Sequence, residues 1–329
     1  MHTKRRQLAG DGLSLEAFFA LQVKTGLVDR LLELALDEDT GNFVAKGGFV
    51  GDITSEACEA AGGADAARAQ FSAFVSARAT AAGGVVAGLA VVQRLVQTKF
   101  RNVRLELLAK DGDVLTGRTR VARVEGPARD CLLLERTMLN VLGRLSGVAS
   151  LTRTYVLAAG SGGAHVCDTR KTTPGMRVLE KYAVRCGGGV SHRMGLHDAL
   201  LIKDNHLAGV SLAQLHAFVQ RAVQAARARA EIVFAEVEVD SIEQLREIVK
   251  LPRGVVDVVL LDNMNAEELR ACCAVRDASA PELLLEASGG VTLATIGAIA
   301  QSGVDRVSVG ALTHSSVQLD FGLDAKMMG

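Results

Sequence analysis

Three features of this 329-residue chain predict an α/β fold, an incomplete (β/α) barrel with a smaller N-terminal α/β sandwich domain. From residue 164 onward, short runs rich in Val, Leu and Ile alternate with amphipathic stretches, the rhythm of repeated βα units on a parallel sheet. Polar residues and glycines recur at or just beyond the ends of those runs, and in a barrel that end is the catalytic face. Before 164 the rhythm changes, and strands with tight turns replace the alternation.

Taken in order, 14–36 reads as helix and 41–50, GNFVAKGGFV, as a glycine-punctuated loop. The span 71–124 reads as strands with turns at Gly83-Gly84 and Asp111-Gly112-Asp113, and 130–159 as mostly helical. Strands follow at 164–167, 199–202, 232–239, 255–261, 282–287 and 304–309. Between them 211–230, 241–250, 265–277 and 292–302 carry helical periodicity, each opening on or beside Ser, Thr or Asn, which cap free helical N–H groups. These are fewer units than the eight of a complete barrel, so the barrel is expected to be incomplete. The expected division is 1–125 for the N-terminal domain, 126–310 for the barrel-like catalytic domain, and 311–329 for a C-terminal segment packing back on the N-terminal region.

Composition narrows the function. Lys plus Arg balance Asp plus Glu at 37 each, so a broad basic footprint for nucleic acid is absent. No apolar run approaches the roughly 20 residues that span a bilayer, and the basic start MHTKRR lacks the apolar core of a secretory signal, so a solvated tail is expected there. The six cysteines form no CxxC pair and several lie in apolar segments, the pattern of reduced, buried thiols in a cytoplasmic protein.

Against that neutral background, 168–206 gathers seven Lys or Arg against four Asp or Glu. Arg170, Lys171, Arg193 and Lys203 are interleaved with a proline turn, a glycine triplet and His192, not spaced as a solvated helix face, and a polyanionic small molecule is their natural counterpart. Further along, Ser288-Gly289-Gly290 and Gly310-Ala311 follow the last two strands, where a barrel builds its phosphate site from backbone amides. Taken alone these glycines serve equally well as turn formers; beside the cationic cluster they favour a phosphorylated ligand. Glu238 and Asp262 close two strands, suited to capping, to pairing with the cations, or to chemistry.

The segments DTRKTTPG at 168–175, EKYAVRCGGGVSHR at 180–193 and LIKDNH at 201–206 resemble the central signature of the quinolinate phosphoribosyltransferases, the carboxylating nicotinate-nucleotide pyrophosphorylases. GDITS at 51–55 and ERTMLNVLGRLSGVAS at 135–150 resemble the same family. So do EVEVDS at 236–241, LLDNM at 260–264, EASGG at 286–290 and SVGALTHS at 308–315, so the resemblance covers almost the whole chain in order.

The resemblance implies phosphoribosyl transfer from phosphoribosyl pyrophosphate (PRPP) to quinolinate with decarboxylation, a step of NAD biosynthesis. It implies that Arg170, His192, Arg193 and Lys203 bind the quinolinate carboxylates, with Thr169 beside them. Ser288, Gly289, Gly290, Gly310 and His314 hold the 5-phosphate, and Lys171 contacts the phosphoribosyl side. Glu238 and Asp262 hold the ribose hydroxyls, directly or through Mg²⁺, and stabilise charge at the anomeric carbon. Lys171, Lys203, Glu238 and Asp262 form the catalytic set. Arg136, locally an ordinary helix-surface arginine, would reach the active site of a neighbouring subunit, which makes a homodimer the minimum unit. Ser191 departs from the Asn that many members carry before His-Arg, and the loop at 41–50 is longer than usual. Two alternatives stay open: a Schiff-base lysine at Lys203, and a non-catalytic or molybdenum-transport-associated relative, against which the intact TRKTTPG and KDNH stand.

Overall fold

The computed structural model describes residues 8, 10–43, 48–66, 69–78, 83–160 and 163–326. The basic run at 4–6 lies outside the described residues, as does 44–47 of the expected loop. The strands are β1 (Gln70–Ala77), β2 (Arg104–Leu107), β3 (Thr119–Pro127), β4 (His165–Cys167), β5 (Leu200–Ile202), β6 (Ala235–Val239), β7 (Val258–Asp262), β8 (Leu284–Ser288), β9 (Arg306–Ser308) and β10 (Phe321–Lys326). The chain divides into two compact units. One comprises Met1–Leu13, Thr152–Thr172 and Gly189–Ser315, and the other Ser14–Leu151, Thr173–Gly188 and Ser316–Gly329.

The first unit holds the parallel sheet, in the order β4-β9-β8-β7-β6-β5. Each of these strands coincides with one of the six expected from the sequence. The order runs round in one sense, as in a (β/α) barrel, and on the free side of β4 a parallel bridge joins Cys167 to Val190. Burial on both faces explains why the strands read as near-continuous apolar runs: β6 is buried throughout, and Val237, Val258, Val259, Leu285 and Val307 are fully enclosed. The helices Leu212–Arg229, Ile242–Ile248, Ala266–Ser279 and Ile296–Ala300 connect them. The last is shorter than the expected 292–302, because Thr292 and Thr295 bond each other in a turn before it starts.

The second unit holds an antiparallel sheet in the order β10-β1-β3-β2, so the C-terminal strand returns to pair with β1, Phe321 opposite Ala77. Two of its elements differ from expectation. The helix at 14–36 is two helices, Leu15–Lys24 and Leu27–Thr40, separated by Gly26 in the left-handed region (φ 75°). The span 71–124 contains a helix, Leu89–Lys99, where strand was expected. Its β-branched residues suggested strand, but Val92, Leu95 and Val96 have helical spacing and are buried. Its start is capped from a distance: Asp111 accepts from the amides of Leu89 (2.9 Å) and Ala90 (3.0 Å), a bond no local pattern reveals.

The cationic run 168–206 is shared between the units. Its middle forms the helix Arg177–Cys186, in which Val178 to Cys186 are all buried. Glu180 there accepts from Arg144 Nε (3.0 Å) and Thr173 Oγ1 (2.7 Å), and Arg185 covers the ring of Phe18 at 4.7 Å. Arg177, Lys181 and Arg185 belong to this helix of the second unit, whereas Arg170, Lys171, Arg193 and Lys203 belong to the first.

Candidate active site

Within the parallel-sheet unit, the C-terminal strand ends bring most of the sequence-identified residues to one face. Thr169, Arg170 and Lys171 follow β4, Lys203 follows β5, Glu238 lies near the end of β6 and Asp262 ends β7; Ser288 ends β8, followed by Gly289 and Gly290, and Gly310 and His314 follow β9.

Lys171, Gly310 and His314 converge. A side-chain carbon on Gly310 would lie 3.2 Å from both His314 Nε2 and the Lys171 side chain, so the glycine eases their close approach. Thr313 Oγ1 donates to the Lys171 carbonyl (2.6 Å), and the Lys171 amide donates to Thr169 Oγ1 (3.0 Å), which fixes the lysine backbone at both ends. A cation, an imidazole and a small-residue turn at a strand end can hold a phosphate.

Arg170 and Arg193 form a second group. Burial lowers the proton affinity of the Arg193 guanidinium and the nearby charge of Arg170 adds to this, with Glu236 and Asp198 opposing. Two guanidinium groups that repel each other offer a place for an anionic ligand between or beside them. Arg170 Nε is buried with no hydrogen-bond partner among the described residues.

His192 follows a different course. Its Nε2 faces Glu236 Oε2 (2.9 Å) and Glu286 Oε1 (3.3 Å), and its side chain is 9% exposed. Its Nδ1 accepts the Arg193 amide (2.8 Å), and its own amide donates to Asp168 Oδ1 (2.9 Å). Burial disfavours the cation, but the two carboxylates outweigh it and raise the imidazole to about 10. A proton on Nδ1 would have to displace the Arg193 amide, so the geometry itself is that of an imidazole carrying its proton on Nε2. Both ring nitrogens are thus engaged within the chain, and His192 stands as the support of Arg193.

The acidic group lies at β6 and β7. Lys203 Nζ meets Glu238 Oε2 at 2.7 Å, with the lysine side chain 44% exposed. A lysine so solvated and paired lacks the desolvation on which the Schiff-base alternative depends. Glu238 and Asp262, with Asp204 and Asp240, line a cavity of about 230 Å³ whose other wall includes Leu207, Val210 and Leu212. Burial raises the Asp262 carboxyl and Glu238 adds to it, while Lys203 offsets part. Asn263, itself at φ 55°, donates to Asp262 Oδ2 (2.7 Å) and presses on Gly289, where any side-chain carbon would collide with Asn263 Oδ1. The Ser288–Gly290 turn and the end of β7 are thereby interlocked.

Oxygen donors around this cavity suit a hard cation such as Mg²⁺. Among the described residues, His192, Glu236 and Glu286 also bring ligand atoms within 4.8 Å of one another, all buried. There Arg306 already supplies the positive charge, 2.9 Å from Glu286 Oε2.

Sequence reasoning assigned no role to Glu236, Glu286 and Arg306, and noted Asp168 only as a polar residue at a strand end. The period of two in Glu236-Val237-Glu238 was the available signal, since it puts both carboxylates on one face of β6. Ser191 Oγ is buried with no hydrogen-bond partner among the described residues, and its carbonyl accepts from Arg306 Nη2 (3.3 Å). Arg136 is exposed on the helix Ala128–Ala159, in the stretch that belongs to the antiparallel-sheet unit.

Comparison with known proteins shows the family. Residues 148–324 match the quinolinate phosphoribosyl transferase C-terminal domain, and residues 52–146 match the N-terminal domain of the same family. The chain belongs to the quinolinate phosphoribosyl transferase family. A probable nicotinate-nucleotide pyrophosphorylase [carboxylating] of Bacillus subtilis is 39% identical over 244 residues, which is 74% of this chain and 81% of that protein. The human nicotinate-nucleotide pyrophosphorylase [carboxylating] is 40% identical over 225 residues, 68% of this chain and 73% of that protein. Among solved structures, NadC from Streptococcus pyogenes superposes with a TM-score of 0.75 at 37% identity, covering 90% of this chain and 95% of that one.

Proposed function

We infer that this chain transfers the phosphoribosyl group of PRPP to the ring nitrogen of quinolinate, giving nicotinate mononucleotide, pyrophosphate and CO₂ in the de novo synthesis of NAD. It is a pentosyltransferase of the carboxylating nicotinate-nucleotide diphosphorylase class. The observation that carries this reading is the convergence, at one end of one parallel sheet, of a Lys171–Gly310–His314 cradle, an Arg170–Arg193 pair and the carboxylates Glu238 and Asp262.

The chemistry follows from charge. Quinolinate carries two carboxylates, and Arg170 and Arg193, with Lys203 at the rim, hold them so that the ring nitrogen faces the anomeric carbon. As the bond from that carbon to pyrophosphate lengthens, positive charge grows on the sugar, and Glu238 and Asp262 stabilise it. Pyrophosphate leaves with the bonding pair, and the ring nitrogen supplies the new pair and becomes a pyridinium. The bond to the 2-carboxylate then breaks. CO₂ departs, its electron pair is left at the ring carbon beside the cationic nitrogen, and a proton from solvent completes the product. We assign the 5-phosphate to Lys171, His314, Gly310 and the Ser288–Gly290 turn, with Thr169 bracing Lys171 and His192 bracing Arg193. Glu238 and Asp262 are the residues that would hold Mg²⁺, which when bound would neutralise charge on the pyrophosphate. Arg136, exposed on its helix, is assigned to the active site of a second copy in a homodimer. No described helix is long and apolar enough to cross a membrane. The absence of any disulfide among the described cysteines supports a cytoplasmic setting.

The test uses purified protein with Mg²⁺, PRPP and either quinolinate or nicotinate. Turnover is expected with quinolinate alone, because a monocarboxylate leaves buried guanidinium charge unpaired. Turnover with nicotinate would overturn the acceptor assignment. Arg170→Ala and Arg193→Ala should raise the quinolinate KM and spare that of PRPP; equal losses would refute the division of roles.

A further inference from the structure

Leu8 and Asp11, ahead of the first helix, are joined to the acceptor site through the interior of the barrel. Leu8 packs on Ala199, Phe234, Val258 and Leu284. These residues lie at, or one position before, the starts of β5, β6, β7 and β8, the end opposite the site. A turn closes this segment: the Asp11 amide donates to the Leu8 carbonyl, and the Leu8 amide to Asp11 Oδ2, both at 3.1 Å. The same Oδ2 pairs with Arg306 Nη1 at 2.9 Å, with side chains 3% and 2% exposed.

Arg306 extends two further arms toward the site, Nε to Glu286 Oε2 (2.9 Å) and Nη2 to the Ser191 carbonyl (3.3 Å). Glu286 Oε1 reaches His192 Nε2, and His192 Nδ1 holds the Arg193 amide. The order is continuous: Asp11, Arg306, Glu286 with the Ser191 carbonyl, His192, Arg193. A guanidinium divides its donors according to the charges around it. With Asp11 in place Arg306 has an anion on each side. Without that charge it would turn fully onto Glu286, releasing the Ser191 carbonyl and drawing Glu286 from the imidazole.

We propose that the N-terminal segment is a positioning element of the acceptor site, with Asp11 fixing His192 and Arg193 from the opposite end of the barrel by way of Arg306 and Glu286. None of these three residues touches substrate. The proposal rests on the reading of Arg193 as a quinolinate ligand.

Asp11→Asn, which keeps shape and removes charge, and Asp11→Glu, which restores charge, are compared with wild type in the full chain. The protein carries ¹³C at the histidine ring carbon, and the His192 signal is identified by its loss in His192→Gln. Asp11→Asn should shift the His192 signal and raise the quinolinate KM about tenfold with the PRPP KM unchanged, because small misplacements of a positioning group are costly. Asp11→Glu should recover most of both. An unmoved His192 signal, an unchanged quinolinate KM, or an equal rise in both KM values would each overturn the proposal. Wild type that binds no quinolinate would refute the substrate reading instead. The His192 signal, read in the ligand-free protein, would then decide the positioning claim alone: a shift in Asp11→Asn upholds it and no shift overturns it.

Discussion

Glu236 and Glu238 sit two residues apart on the same face of one strand and have opposite surroundings. Glu238, near the strand end, meets a half-exposed lysine and borders a cavity. Glu236, one pleat deeper, is enclosed: burial raises its carboxyl, Glu286 adds to this, and His192 offsets part. Its Oε1 has no hydrogen-bond partner among the described residues. Depth along a barrel strand thus separates a carboxylate that can serve chemistry from one that belongs to the scaffold beneath it. The outer carboxylate, 10% exposed, is paired with a half-exposed lysine, whereas the inner ones are balanced against each other in a medium that penalises any imbalance.

The largest effect should come from unbalancing the inner group. Glu286→Gln leaves Arg306 with Asp11 and removes a carboxylate from beside His192, and breaking a buried pair costs about 3–5 kcal/mol. Lys203→Met, which breaks the rim pair, should cost less, because the lysine end of that pair is 44% exposed although its partner Glu238 is only 10% exposed. Urea unfolding of both variants measures the contrast. Losses of similar size would mean that depth on the strand does not separate the two groups.

The same contrast explains what the sequence revealed. Residues at the rim of the sheet were legible because each breaks an apolar strand: Lys203 after Leu-Leu-Ile, Asp262 after Val-Val-Leu-Leu. The inner residues were hidden because their partners are far along the chain; Asp11 and Arg306 are 295 positions apart. The six parallel strands were legible because burial on both faces leaves a strong apolar signal. The helix Leu89–Lys99 was not, because its cap comes from Asp111. Local composition also could not reveal that Lys181 and Arg185 are buried within a helix, since a buried charge looks like an exposed one until its neighbours are known.

A second effect should appear in rate and not in folding. Glu238→Gln keeps the volume and removes the charge proposed to stabilise the developing cation, so kcat should fall about 10²–10³-fold, the range seen when one electrostatic stabiliser is lost. The unfolding midpoint should stay close to that of wild type. Single-turnover assays at saturating PRPP and quinolinate separate the chemical step from binding. A variant that loses stability and keeps kcat would move Glu238 from the rim chemistry to the scaffold.

The smallest effect sharpens the comparison most, because it asks whether the rim charges cost the fold anything. Burial raises the Asp262 carboxyl, with Glu238 adding to it and Lys203 offsetting part. The folded chain therefore holds this proton more tightly than the unfolded chain does. The resulting contribution to stability is fully present below the ordinary aspartate range and is lost as pH rises through the raised value. At neutral pH the ionised Asp262 works against the fold, and Asp262→Asn should unfold at a slightly higher denaturant concentration than wild type while its kcat drops. As pH falls toward the acid range the two midpoints should converge, since wild type then carries the proton. Wild type more stable than the variant at neutral pH would mean that Lys203 outweighs burial at the rim. The outer carboxylates would then be charge-balanced like the inner ones, and catalysis would cost the fold no measurable stability at this position.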